Sequence, residues 1–460
     1  MPVPWKPGSR MLTDILSALK PLLSNRRLQI LQLQRNMNTL LTLWFLLSSA
    51  VCLHGLTVGD VTEVYRWVSV DYDWPNATTK TDYITNNLFI LENNIIAGIK
   101  VYRDEVYVTV PRWRRGIPSS LNRVVTRGDK HLLQPYPSWA MHRLGDCSVL
   151  QYVQSMEIDP NTGYMYILDN GRINIFENSS TNVCPPKLLI WNMQKNAEVH
   201  RYVFPADVAD PTSCFLNDIV LDYVDGHVAF AYITDVLEAK LYVYDYNKDE
   251  SYVFKDPSMQ PESPGGYAVD GIAMSPTFDF VYFCPITGRG LYQIPTSVLR
   301  DRHAQFGQHV RRVGTLVSRA DGLAYGQQNL YFGLLDLDGL ARWEVAGDAK
   351  DGCYGSVNMV SQKVIASNNI TMRWVDTLAW DDRGYLWFVA NDISRYLSKT
   401  MNFTGSEPNM YITKVFVNES SYLSTALSAP VRPQCTSSGA RSSLAHLATW
   451  LLLFTSLLLI

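Results

Sequence analysis

The feature that most limits what this chain can become is a phrase that keeps returning: an acidic residue, an apolar run, a turn, and another apolar run. It is clearest in Val269–Arg300, where Asp270-Gly271 leads into Ile272–Met274, then a Ser-Pro-Thr turn, Phe280–Cys284, Thr287-Gly288 and Leu291–Ile294. Three short β runs separated by turn residues predict an antiparallel meander. The same order of residues opens at Asp218, Asp321 and Asp376 and, more loosely, at Met156 and Ala97, which makes six copies. The clear starts lie about 50 residues apart, the length of a four-stranded propeller blade with its loops. The expectation is an all-β chain, a six-bladed β-propeller over residues 56–435. A pair of β-sandwich domains is the rival, but it gives no reason for one opening at a near-constant interval. A long amphipathic helix is not visible in this region, because Gly, Pro, Asn and Asp interrupt the apolar runs too often.

The two ends read differently from the repeat. Residues 1–36 are a polar upstream extension; residues 37–55, from Met37 through the apolar run Leu40–Val51, have the build of a secretory signal peptide. Two accounts fit: translation starts at Met37, or the run is an internal uncleaved anchor. Secretion agrees with N-glycosylation acceptors at Asn76, Asn178, Asn369, Asn402 and Asn418. Beyond Cys52 of the leader, Cys147, Cys184, Cys214, Cys284, Cys353 and Cys435 remain, and sequence does not choose among their pairings. None has zinc-site spacing. Residues 436–460 resemble a glycolipid-anchor signal: small residues at Ser437–Ala440 with Ser438 as the attachment candidate, a short polar spacer, and an apolar tail Leu447–Ile460. A retained C-terminal helix is the alternative, although that tail is short to span a bilayer. With 40 basic and 43 acidic residues the chain carries no charge bias toward nucleic acid.

Several phrases in series are similar to the insect Yellow and major royal jelly protein family. They are Val110–Pro118, Ser155–Asp159 followed by Tyr166–Gly171, Cys184–Leu188, Tyr282–Pro285 with Leu291–Ile294, Asp321–Leu323 with Tyr331–Gly333, and Leu386-Trp387. The resemblance implies a secreted six-bladed propeller, in agreement with the repeat, and a channel that takes small aromatic amines or catechols. It also implies dopachrome conversion as an activity found in some members. The chain departs from the family at Asn161–Tyr164, where many members carry a cysteine, and at Gly339–Trp343. The glycolipid-like tail is a further departure, and it suggests a cell-surface or egg-surface role.

Propellers hold ligands in the central channel. Asp218, Asp270, Asp321 and Asp376 open their repeats at strand entries, where a radial repeat brings equivalent positions together. Converging carboxylates suit a divalent cation or an amine; the plainer reading is that each accepts backbone N–H bonds and fixes a turn. Glu157, Asn217, Thr287, Asp336 and Asn391 are the further polar candidates for the channel. Phe283, Phe332 and Phe388 are candidate walls, although their alternation within strands equally suits blade core. No nucleophile elbow, phosphate loop or HExxH is present, and the histidines are scattered. Arg112-Trp113-Arg114-Arg115 reads as structure, with guanidinium stacked on the Trp113 indole. Three functions follow as expectations. The first is a Yellow-like glycoprotein of cuticle or eggshell maturation or pigmentation, reaching the extracellular matrix or a membrane through its lipid anchor; the second is a dopachrome tautomerase; the third is a calcium-dependent propeller hydrolase. No cofactor is called for.

Overall fold

A computed structural model describes residues 58–177, 180–349 and 352–425. Six antiparallel sheets of four strands follow one another along the chain, and each innermost strand touches the innermost strands of both neighbouring blades, which closes the ring. Blade I comprises Ile99–Tyr102, Glu105–Thr109, Leu121–Arg127 and Lys130–Pro135, counted from the axis outwards. Blade II begins with Val153–Asp159, blade III with Leu216–Val224, blade IV with Val269–Met274 and blade V with Leu323–Tyr325. Blade VI is assembled from both ends of the described chain. Trp374–Trp380, Tyr385–Asn391 and Met410–Phe416 are completed by Val61–Trp67, which pairs Val61 with Val415 and Trp67 with Met410. The repeat does not show this closure, because Val61–Trp67 has no Asp-Gly opening.

Each sheet is apolar on both faces because each faces a neighbouring blade. In blade IV, Ile272, Met274 and Val281 pack with Tyr223 and Tyr242 of blade III, whereas Ala273 and Tyr282 pack with Tyr325 and Trp343 of blade V. Strand side chains alternate between faces, so one strand supplies both interfaces. Tyr282 lies 5.6 Å from the Tyr325 ring and 5.9 Å from Trp343, which is fully buried with its Nε1 donating to Asp348 Oδ2 at 2.8 Å. Phe283, Phe332 and Phe388 are equally buried, each within an interblade cluster. They are core, not channel wall.

Of the cysteines, Cys147 and Cys184 form a disulfide, while Cys214 and Cys284 are buried thiols. The bridge ties the segment before Val153–Asp159 to the segment before Lys187–Asn192, near Gly171, whose φ of +66° and close approach to the Cys184 carbonyl leave no room for a side chain. The adjoining Asp169 ties this corner together, accepting from the backbone of Gln151, Tyr152 and Gly171 and pairing with Lys187 at 2.7 Å. Arg112 is buried and spends its guanidinium on the carbonyls of Ile117, Pro118, Gln151 and His142. Arg114 stacks on the ring of Tyr396 at 4.5 Å, a phenol where the sequence suggested the neighbouring indole. Among the acceptor asparagines, Asn76, Asn369, Asn402 and Asn418 are exposed. Asn178, Cys435, Ser438 and both terminal signals lie outside the described residues, among which no helix is long and apolar enough to cross a membrane.

Candidate functional site

The channel chemistry originates in a repeated irregularity of the innermost strands. Pairing with the second strand breaks between Val153 and Met156, Leu216 and Ile219, Val269 and Ile272, and Val375 and Leu378. In blade V the pairing starts at Leu323, just after Asp321-Gly322. A bulge frees residues from the ladder and re-aims their side chains. Superposing the breaks makes Gln154, Asn217, Asp270, Asp321 and Asp376 equivalent. Asp218 is therefore offset by one: it corresponds to Gly271, Gly322 and Thr377, not to the other three aspartates. Sequence alone joined it to them because Asn217 at the true position is not acidic.

The glycine of the Asp-Gly pair has a packing reason. Gly322 N donates to Asp376 O at 2.8 Å, and a Cβ on Gly322 would stand 2.3 Å from that same oxygen. Blades IV and V thus approach their neighbours backbone to backbone, which draws the acidic side chains together around the axis.

Those side chains form a hydrogen-bonded belt. Trp113 Nε1 and the Tyr152 hydroxyl donate to Gln154 Oε1, at 3.2 and 2.8 Å. Gln154 Nε2 donates to Asn217 Oδ1 at 3.1 Å, and Asn217 Nδ2 to Asp270 Oδ1 at 2.6 Å. Asp270 and Asp321 share a carboxyl–carboxyl hydrogen bond. Trp374 Nε1 donates to Asp321 Oδ2 at 2.6 Å, and Asn391 Nδ2 to Asp376 Oδ2 at 3.0 Å. Burial, and after it the neighbouring carboxylates, push the Asp321 and Asp376 carboxyls far above their ordinary range. Burial raises Asp270 to about 7, partly offset by the hydrogen bond from Asp321. Two carboxyls in that contact do not both ionise, so the pair shares one proton.

The belt forms the floor of a small cavity of about 90 Å³ at one mouth, walled by Trp113, Phe176, Phe215 and Trp374. Of the sequence candidates, Asn217, Asp218, Asp270, Thr287, Asp321 and Asp376 line it. The Thr287 hydroxyl is turned to the Tyr267 carbonyl at 2.6 Å. Asn391 stands behind Asp376 and orients it. Asp336 does not line the cavity: its Oδ1 accepts from both Nε and Nη2 of Arg319, which is itself part of the lining, because Asp336 follows the second strand rather than entering the first. Glu157 lies on the other side of the belt, in a separate chamber. The actual aromatic walls were missed, as was Gln154. Gln154 occupies the Asp270 position two residues before the apolar Met156, and that spacing is the signal that would have found it. Among the described residues no group of three or more His, Cys, Asp or Glu is placed to hold a metal ion.

The major royal jelly protein family profile matches residues 152–421. The chain is 29% identical to Protein yellow of Drosophila erecta over 264 residues, which is 52% of this chain and 48% of that protein. It is 28% identical to Protein yellow of Drosophila melanogaster over 264 residues, with the same coverage. It thus spans about half the length of the curated relatives it matches. A solved structure of a luciferin-regenerating enzyme is similar at 10% identity and a TM-score of 0.45, covering 72% of this chain and 95% of that one, a level from which nothing follows for function. The repeat, the closed ring of blades and a profile match spanning blades II to VI lead to one statement: this chain belongs to the major royal jelly protein family.

Proposed function

We propose that this chain is a secreted or surface-anchored Yellow-like glycoprotein of cuticle or eggshell maturation or pigmentation, and that it binds a small aromatic amine or catechol at the acidic belt. One observation carries this: buried carboxyls face an aromatic-walled cavity and are left short of counter-charge. An ammonium group supplies that charge, and the Trp113, Phe215 and Trp374 rings suit an aromatic body. Exposed acceptor asparagines support a glycosylated, secreted chain. Titration calorimetry with dopamine and serotonin tests the reading. Asp376→Asn removes from the floor a carboxyl that ionises against a bound ammonium, and the affinity for either amine falls about tenfold or more. Failure of the unaltered protein to bind either amine refutes the proposal.

The shared proton favours one second reading, an isomerase of the dopachrome type. Asp270 as carboxylate takes a carbon-bound ring proton while the Asp321 carboxyl gives its proton to the substrate oxygen, so the reaction balances without a co-reactant. Dopachrome absorbance followed with the unaltered protein and with Asp270→Asn decides it. An unaltered protein that leaves the spontaneous rate unchanged ends this reading without touching the first.

A further inference from the structure

On the far side of the belt the channel widens into a second chamber of about 340 Å³. The width has a simple origin. Three positions beyond the belt, the innermost strands carry Lys100, Glu157, Val220, Ala273, Ala324 and Ala379, and Ala273 and Ala324, which line the chamber, leave open the space that larger side chains would occupy. A strap of the chain covers part of this mouth. The Tyr422 hydroxyl accepts from Leu221 N at 2.9 Å, Leu423 O accepts from Asn161 Nδ2 at 3.0 Å, and Glu419 accepts from Tyr331 and from the backbone of Gln328. Tyr102, Tyr325, Trp380 and Tyr422 line the chamber, and Asp218 lines both this space and the belt cavity.

We infer that this chamber is a second binding site, distinct from the belt cavity, for a small organic cation carrying an aromatic ring.

The charges that face the chamber set the class of ligand. Lys100 Nζ pairs with Glu157 Oε2 at 3.0 Å, with both side chains nearly out of solvent, at 13% and 11% exposure. Asp218 is the second interior carboxylate. Its hydrogen bonds come from the neutral Ser155 hydroxyl at 3.0 Å and Ile219 N at 2.9 Å, both to Oδ1, so Oδ2 is the oxygen a ligand meets. At the rim, Asp104 pairs with Arg383 at 2.6 Å, Arg103 lies over the Tyr102 ring at 5.1 Å, and Asp381 accepts from Trp387 Nε1 at 2.9 Å. Asp382 is exposed to solvent. The interior thus has two carboxylates to one ammonium. A monocation balances it; a zwitterion such as an amino acid restores the deficit with its own carboxylate. Ring faces around a partly desolvated cation add to the attraction, and the strap hydroxyls of Ser420, Ser421 and Ser424 offer polar contacts for a phenol.

The test uses the full-length chain and tyramine, with tyrosine as the control that differs only by a carboxylate. Two equivalents of tyramine bind the unaltered protein, and tyrosine binds the chamber at least tenfold more weakly. Ala324→Phe fills the chamber and removes one equivalent while the other keeps its affinity; Glu157→Gln, which fills nothing, weakens that same equivalent about tenfold. A single equivalent that Asp376→Asn weakens and Ala324→Phe leaves unchanged overturns the inference while the belt reading stands. A single equivalent lost only in Ala324→Phe upholds it and overturns the belt reading. No binding at all overturns both.

Discussion

Asp321 provides a test of the belt that needs no ligand. Its carboxyl is held far above its ordinary range by burial first and by Asp270 second, and Asp270 itself is raised to about 7. For an acid raised in the folded state the linkage sign is the reverse of the usual carboxylate case. The folded protein keeps a proton that the unfolded chain releases near pH 4, so the stability contribution is full below that value and is lost as pH rises through the folded value. Each retained proton costs about 1.4 kcal/mol per pH unit, so Asp270 alone gives up roughly 4 kcal/mol between pH 4 and pH 7. Asp321→Asn keeps a donor toward Asp270 and an acceptor for Trp374 Nε1, at similar shape, and removes one titrating group. Chemical denaturation at pH 5 and pH 8 should show the variant gaining on the parent by up to about 4 kcal/mol between the two pH values, three pH units at about 1.4 kcal/mol each for the proton that position 321 no longer retains. Taking the difference between the two proteins cancels the histidines that titrate in the same range. Parallel pH profiles for parent and variant, or a parent that gains on the variant as pH rises, refute the account of the belt.

Three further outcomes follow from the packing. Gly322→Ala forces a methyl to within 2.3 Å of the Asp376 carbonyl oxygen, so it should destabilise the fold by about 2 kcal/mol or more in urea unfolding, with a changed near-ultraviolet signal from Trp374 at the belt. Trp343→Ala, at a fully buried position between blades IV and V, should cost about 3–5 kcal/mol in the same assay. Replacing both Cys147 and Cys184 by serine opens a loop of 37 residues and should lower stability by about 3–4 kcal/mol, a difference that reduction of the parent reproduces.

How much of this was legible in the sequence can be judged residue by residue. Asp270, Asp321 and Asp376 were found because a radial repeat places equal positions on one axis. Asp218 was assigned to the wrong ring although it does line the channel, since a one-residue offset between Asn217-Asp218 and Asp270-Gly271 is invisible until a bulge fixes the alignment. Asp336 was misplaced for a related reason: an acidic residue after a strand looks the same whether that strand is first or second from the axis. Phe283, Phe332 and Phe388 went to the core because in a propeller both faces of every blade are buried, so an aromatic residue in a strand says nothing about which surface it meets.

Sequence by itself determined the number and order of the blades and the acidic character of the channel, because strand length, turn chemistry and the Asp-Gly interval are local properties that repeat. Only the tertiary structure decided how the ring closes through Val61–Trp67, that Cys147 pairs with Cys184, and that Asp321 shares a proton with Asp270. It also divided the channel at the belt into an aromatic-walled cavity and a wider chamber. Those features depend on distances between residues far apart in the chain, and the raised carboxyls depend on a burial that exists only once six sheets surround them.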